Sequence, residues 1–218
     1  MLTRMIHLGM LAAGFLLANS YAAHAVVYCK YVGVPKGCVA RPGVVLAPTI
    51  PVTASDEHRG FDSTLSIGTE AFASSVVAIA RSATWAAGVL FVNGHGGNAD
   101  GLAIAHEAMD HEGLRHDIWS LPAYDGADAH AGRTETSVML HLHPGLVDMT
   151  RAATGNTAPL HEIIGAMRAG GVKGVSPTGV LGDATTATAS HGKAVFGMWV
   201  TSLSHRLTQV SAEWTDRA

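Results

Sequence analysis

Gly88-Val-Leu-Phe-Val-Asn-Gly-His-Gly-Gly-Asn98 decides how the rest of this chain is read. The apolar run from Gly88 to Val92 has the continuous pattern of a strand buried on both faces. A histidine set among glycines follows at once, and an amphipathic helical pattern begins at Ala99. Open α/β sheets keep their ligands at the carboxyl ends of such strands. Glycine at that point lets the backbone turn sharply and leaves the imidazole uncovered. The stretch predicts a strand, a functional turn and a helix, with His95 as a metal ligand or catalytic group. Asn93 and Asn98 are expected to shape the turn through side-chain hydrogen bonds.

Outward from this turn the same alternation continues. Val44–Ala47 reads as a strand, and a polar loop spans Thr53–Thr64. Thr69 or Ser66 is placed to cap a helix reaching about Ala83, with Ala71, Phe72, Val76, Val77 and Ile79 on its apolar side. A helix from Ala99 to Glu112 stops at Gly113, and Asp117–Leu121 reads as another strand. Ala131–Leu142 is helical up to His143-Pro144. Pro159–Arg168 reads as a short helix closed by Gly170-Gly171. The Ser176–Asp183 loop reads as a structural turn or lid. The last helix carries Ala194, Met198, Trp199, Leu203, Leu207 and Val210 along one face. Strands alternating with helices make an α/β layered domain.

The 218 residues suffice for a substantial core, and 48% hydrophobic against 14% charged residues argues for a compact fold. A net charge of −3 gives no electrostatic reason to expect nucleic acid. Of the thirteen histidines, His106, His111 and His116 read as surface groups, and His141 and His143 end a helix. No apolar run approaches the roughly 20 residues that span a bilayer. The N-terminus nevertheless looks like an export signal: Arg4, an apolar stretch from Leu8 to Ala18, and Ala23-His-Ala25 as a cleavage site. In an exported protein Cys29 and Cys38 could pair. The alternative is an apolar N-terminal helix with two reduced thiols. All 17 carboxylates lie from Asp56 onward, and the texture changes near Arg41-Pro-Gly43. Residues 1–43 therefore read as an atypical segment ahead of an α/β domain at 44–218.

The chemistry concentrates in three places. His95 is the first. The second is Asp128-Ala-His-Ala-Gly-Arg-Thr-Glu-Thr-Ser137, which sets His130 and Glu135 five apart around a helix start. A carboxylate there is also what a helix dipole favours, so plain capping electrostatics competes with a metal-binding role for Glu135. His130 suits a proton shuttle, because an imidazole titrates near neutrality. Glu57-His58 is the third, either a solvated loop or the rim of a pocket. The chain contains no Walker-type phosphate loop, no nucleophile-elbow serine and no CxxC pair.

In their order and spacing these residues resemble the creatininase family of metal-dependent amidohydrolases. The likeness rests on Asn-Gly-His-Gly-Gly-Asn at 93–98, His-Ala-Gly-x-x-Glu-Thr-Ser at 130–137 and Glu-His-x-Gly-Phe-x-x-Thr-Leu-Ser at 57–66. It covers about residues 44–210. Within the family the chain looks most like the mycofactocin-system branch, which trims a C-terminal Val-Tyr dipeptide from a modified ribosomal precursor peptide. The resemblance implies a three-layer α/β domain with a mainly parallel sheet. It also implies a divalent metal (Zn, Fe or Mn), homo-oligomers and a cytoplasmic location. By position, His95 and Glu135 become metal ligands and His130 the general acid/base, while Glu57, His58, Gly96 and Gly97 line the substrate site. Family members open with a strand bearing Glu-x-His and a later Asp. Here no carboxylate precedes Asp56, so the family's first strand and helix read as replaced. A subunit that binds or assembles without turnover, and an amidohydrolase of small cyclic amides, are the competing expectations.

Overall fold

The computed structural model describes residues 13–18, 26–29, 38–41 and 44–215. They form β1 (Ala13–Ala18), β2 (Val26–Cys29), β3 (Cys38–Arg41), β4 (Val44–Ile50), α1 (Thr69–Ser82), β5 (Gly88–Asn93), α2 (Ala99–His111), β6 (His116–Ser120), α3 (Arg133–Leu142), α4 (Leu160–Val175) and α5 (Ala189–Thr215). The α/β expectation holds. Two compact units emerge, one built from Asp56–Thr64 and Pro122–Val200, the other from described parts of Leu11–Ser55, Leu65–Leu121 and Thr201–Ala218. Among the described residues, no helix is long and apolar enough to cross a membrane.

The second unit holds a four-stranded sheet of order β4-β1-β5-β6. β5 and β6 run parallel, as the crossover through α2 requires. β1 is antiparallel to both neighbours, with Phe15 opposite Ala47 on one side and Phe91 on the other. Residues 13–18, read from sequence as the apolar part of an export signal, are thus placed as an inner strand; most of that signal and its cleavage site lies outside the described residues. β2 and β3 form a separate hairpin that sets Cys29 opposite Cys38 in backbone register.

Phe72, Ala73, Val76, Val77 and Ala80 recur at helical spacing and put one face of α1 into the core. There they meet Leu102, Ala105 and Met109 of α2 and Val89 and Phe91 of β5, with Val45, Ala47 and Ile118 packed alongside. Strand alternation turns Trp119 away from Ile118, and its indole N–H donates to Ser202 of α5 at 3.1 Å. Asp117 takes a bidentate bond from Arg206 of α5, both contacts 2.7 Å. Helices therefore cover both faces of this sheet, the three-layer arrangement within one unit.

Two local expectations are corrected, at the start of α1 and along α5, and a third is refined. The residue ahead of α1 is Gly68, with no side-chain cap; Ser66 Oγ instead accepts from the amides of Ser55 and Gly68 and braces the loop. The helix begun at Leu160 breaks at Gly171, φ 71, where the sequence closes it, and a further helical turn then runs to Val175. The buried stripe of α5 is Val195, Trp199, Leu207, Val210 and Trp214, while Met198 is exposed and Ala194 faces solvent. The rotation follows from the indoles, whose large area outweighs a methionine.

α1 and α2 meet where α2 has no side chain. A Cβ on Gly101 would lie 2.7 Å from the buried Phe72 ring and 3.1 Å from the Thr69 carbonyl. Helix propensity alone favours alanine over glycine by about 1 kcal/mol. Overpacking costs about 1–3 kcal/mol and wins because Phe72 is walled in. Gly101→Ala is expected to lower the urea midpoint; an unchanged or raised midpoint would show that the helices part freely.

Candidate active site

β5 ends at Asn93, which is buried and bonds in several directions. Its Oδ1 accepts from the His95 amide at 3.2 Å and from Asn98 Nδ2 at 3.0 Å. Its Nδ2 donates to Ser120 Oγ at 3.3 Å, and its carbonyl accepts from Leu121 N at 3.2 Å. The expected turn-shaping role of both asparagines is what the structure shows. Asn98 is fully buried and opens α2 after a single 3-10 turn, Gly96–Asn98. The backbone reverses within these residues and presents His95 just beyond the sheet, with Gly96 and Gly97 adding no bulk beside it.

His95 Nε2 lies 2.9 Å from the Ala54 carbonyl and 3.0 Å from Ser55 Oγ. A carbonyl only accepts, so Nε2 carries the proton. In the neutral ring the lone pair then belongs to Nδ1. Such a bond to the second nitrogen is how ligating histidines are oriented. Ala54 and Ser55 are themselves buried, so this anchor is rigid. The sequence names Ser55 only as part of a polar loop; its bond to a residue 40 positions away carries no local signature.

The other unit assembles the remaining predicted residues. Asp56–His58 form a 3-10 turn that sits beside α4, where Lys173 Nζ donates to the Gly60 carbonyl at 2.7 Å. His58 Nε2 is 3.5 Å from Glu57 Oε1. The His58 and His130 rings meet at a tilt of 42°, their centroids 4.5 Å apart. His130 Nδ1 lies 3.6 Å from Glu135 Oε2. Glu57, His58, His130 and Glu135 thus fall into one neighbourhood, and Glu57-His58 is half-buried.

Two devices hold His130 in place. Leu181 pairs with it as an antiparallel bridge, its N–H donating to the His130 carbonyl at 2.8 Å. The loop read as a turn or lid is therefore a splint for the candidate acid/base. The next residue, Ala131, sits in the left-handed region at φ 51, which costs a non-glycine residue about 1 kcal/mol. Glu135 Oε2 accepts from its amide at 2.5 Å, reaching past the N-cap Gly132 to the residue before it. One Glu135 oxygen thus braces the turn ahead of α3, where a carboxylate also suits the helix dipole, and the other is left for further chemistry. Asp128 does the capping, accepting from the amides of Arg133 and Thr134. A Cβ on Gly132 or Gly182 would overlap its carboxylate, which explains why glycine follows His-Ala in this motif.

A family model described as creatinine amidohydrolase matches residues 12–207. The chain belongs to the creatininase family. It is similar to the mycofactocin precursor peptide peptidase of Mycobacterium ulcerans (strain Agy99), 47% identical over 176 residues, or 80% of this chain and 68% of that protein. The protein of that name from Mycolicibacterium smegmatis is 46% identical over 172 residues, 78% of this chain and 69% of its own length. Among solved structures, a putative creatinine amidohydrolase from Bacteroides fragilis superposes with a TM-score of 0.55 at 19% identity, over 78% of this chain and 71% of its own. A Zn-Zn type mutant creatininase gives 0.51 at 19%, over 68% and 67%. The creatininase fold and family expected from the motifs are thereby established. The family match begins upstream of residue 44, where the motif likeness starts, and takes in β1.

Two measurements probe this scaffold. Asp128→Ala leaves two helix-start amides unbonded and is expected to cost about 1–2 kcal/mol. Amide exchange at Arg133 and Thr134 should quicken with it; unchanged exchange would remove Asp128 from the capping role. Asp183, next to the His130 splint, has its carboxyl held below the usual carboxylate range, first by the Thr185 hydroxyl and then by that of Thr154. A depressed folded pKa contributes stability that is complete above the unfolded value, roughly 3.9, and lost as pH falls through the folded one. The stability gap between the native chain and Asp183→Asn should therefore close as acid is added. A gap that stays constant down to pH ~2, below the unfolded carboxylate range, would contradict it.

Proposed function

We propose that this chain is a metal-dependent peptidase of the creatininase type that removes the C-terminal Val-Tyr dipeptide from the mycofactocin precursor peptide. The observation carrying this reading is the 47% identity, over 80% of the chain, to a protein that bears that peptidase name. The geometry within each unit supports it. His95, its Nε2 proton tied to the Ala54 carbonyl, offers Nδ1 as a metal ligand, and Glu135 offers a hard carboxylate oxygen. Imidazole and carboxylate donors suit Zn, Fe or Mn. When bound, such an ion polarises an amide carbonyl and acidifies water.

The remaining steps belong to side chains. His130 takes the proton given up by the attacking water and passes it to the leaving amine. Glu135 Oε2, 3.6 Å from His130 Nδ1, keeps a carboxylate beside the ring that carries that proton. His58, packed at a tilt against His130, limits the movement of that ring, and Glu57 with His58 shapes the peptide-binding surface. Gly96 and Gly97 present bare backbone beside His95.

The test is cleavage of the modified precursor peptide by the purified chain after loading with Zn, Fe or Mn, read by mass spectrometry as released Val-Tyr. The native chain should release it. His130→Ala should slow release about a hundredfold or more with metal content unchanged, whereas His95→Ala should lose one metal equivalent and activity together. No dipeptide with any of the three metals, from a folded and metal-loaded chain, would leave a binding subunit as the better description.

A further inference from the structure

At the opposite ends of β5 and β6 from His95, a second group of donor atoms converges that the peptidase reading does not use. His106 and Asp110 lie four apart on α2, so both project from one face of the helix. His116 opens β6, level with Val89 near the start of β5, whereas His95 follows that strand's far end. One donor atom from each of the three residues lies within 4.8 Å of the others. His106 Nδ1 is 2.6 Å from His116 Nε2, and the rings meet edge to face. Asp110 lies 3.5 Å from His106 Nε2 and 3.9 Å from His116 Nε2.

The sequence reads His116 as a surface histidine, but its side chain is only 3% exposed. Its Nδ1 lies 2.8 Å from the Leu114 carbonyl, which only accepts, so Nδ1 holds the proton and Nε2 presents its lone pair to His106 and Asp110. A carbonyl behind the ring and a lone pair in front is the arrangement found behind metal-ligating imidazoles. If His106 donates from Nδ1 to His116, its Nε2 in the neutral ring turns a lone pair toward a carboxylate that also only accepts. A positive ion among the three donors removes that conflict.

The geometry points to a second, independent metal site: His106, Asp110 and His116 bind one divalent transition ion of the zinc type. Two imidazoles and one carboxylate form a borderline donor set suited to Zn, Co, Ni or Cu and poorly suited to Mg or Ca. Three protein ligands leave a position open to water. His106 and Asp110 have side chains 55% and 64% exposed, so they can open the 2.6 Å contact to ligand spacing at little cost. His116 is the fixed member.

Zinc titration of chelator-treated full-length chain, followed by calorimetry, tests this assignment. A zinc equivalent retained in His95→Ala but weakened at least tenfold in His106→Ala and in Asp110→Asn supports the site. Both of the latter residues are exposed, so their replacement leaves folding intact. Zinc should also shift the His116 ring nitrogens in imidazole NMR spectra of the His95→Ala chain. Unaltered titrations in both surface variants, or His116 signals that ignore zinc, overturn it and leave an ordinary hydrogen-bonded surface cluster.

Discussion

The candidate site depends on a buried amide. Asn93 closes β5, accepts from the amide of the histidine it serves, holds Asn98 at the start of α2, and ties the strand to Ser120 and Leu121 after β6. A buried polar group costs about 1–3 kcal/mol for an unmade bond, so partners on both its oxygen and its nitrogen confine this side chain to one arrangement. The glycines around His95 could adopt many conformations; Asn93 selects one. The imidazole is then held from its other side by Ala54 and Ser55, so the ring is clamped at both backbone and Nε2.

A different economy operates at His130. There the motif places a non-glycine residue in the left-handed region, two carboxylates bonded to backbone amides and a glycine within eight positions. Each compensates another: Glu135 satisfies the strained Ala131 amide, and the missing Cβ at 132 admits Asp128. Local rules are broken at this helix start, and functional residues are where such departures gather.

Much of this was legible in the chain. β5 was readable to within one residue because a continuous apolar run opened by glycine marks a buried strand, and α1 to α3 lay within about two residues of the bounds that their apolar spacing and their glycine and proline stops indicate. Glu57, His58, His130 and Glu135 were recognisable from their motifs, which are short and local. What escaped was set by distance along the chain. Ser55 meets His95 across 40 positions, and Leu181 splints His130 across a longer interval. Nothing near either residue announces the partner. The apolar stretch ending at Ala18 has the composition of a leader and of an inner strand alike, and its pairing with β4 and β5 has no local signature. His116 looked exposed because its helix neighbours are polar, yet it starts a strand that packs beneath α2.

That inner position of β1 has a consequence for how the chain must be made. Phe15 is paired with Ala47 on one flank and with Phe91 on the other, so the second pairing closes a loop more than twice as long as the first. During synthesis β1 and β4 emerge early and can zip together, but the other edge of β1 waits for α1 and β5. Until they arrive, that edge offers unpaired amides and carbonyls to any neighbouring strand. Long-range antiparallel closure is also slow. The nascent chain thus passes through an interval in which its most central strand is its most adhesive one, and the yield of folded protein should depend on translation rate and on chaperones that cover strand edges.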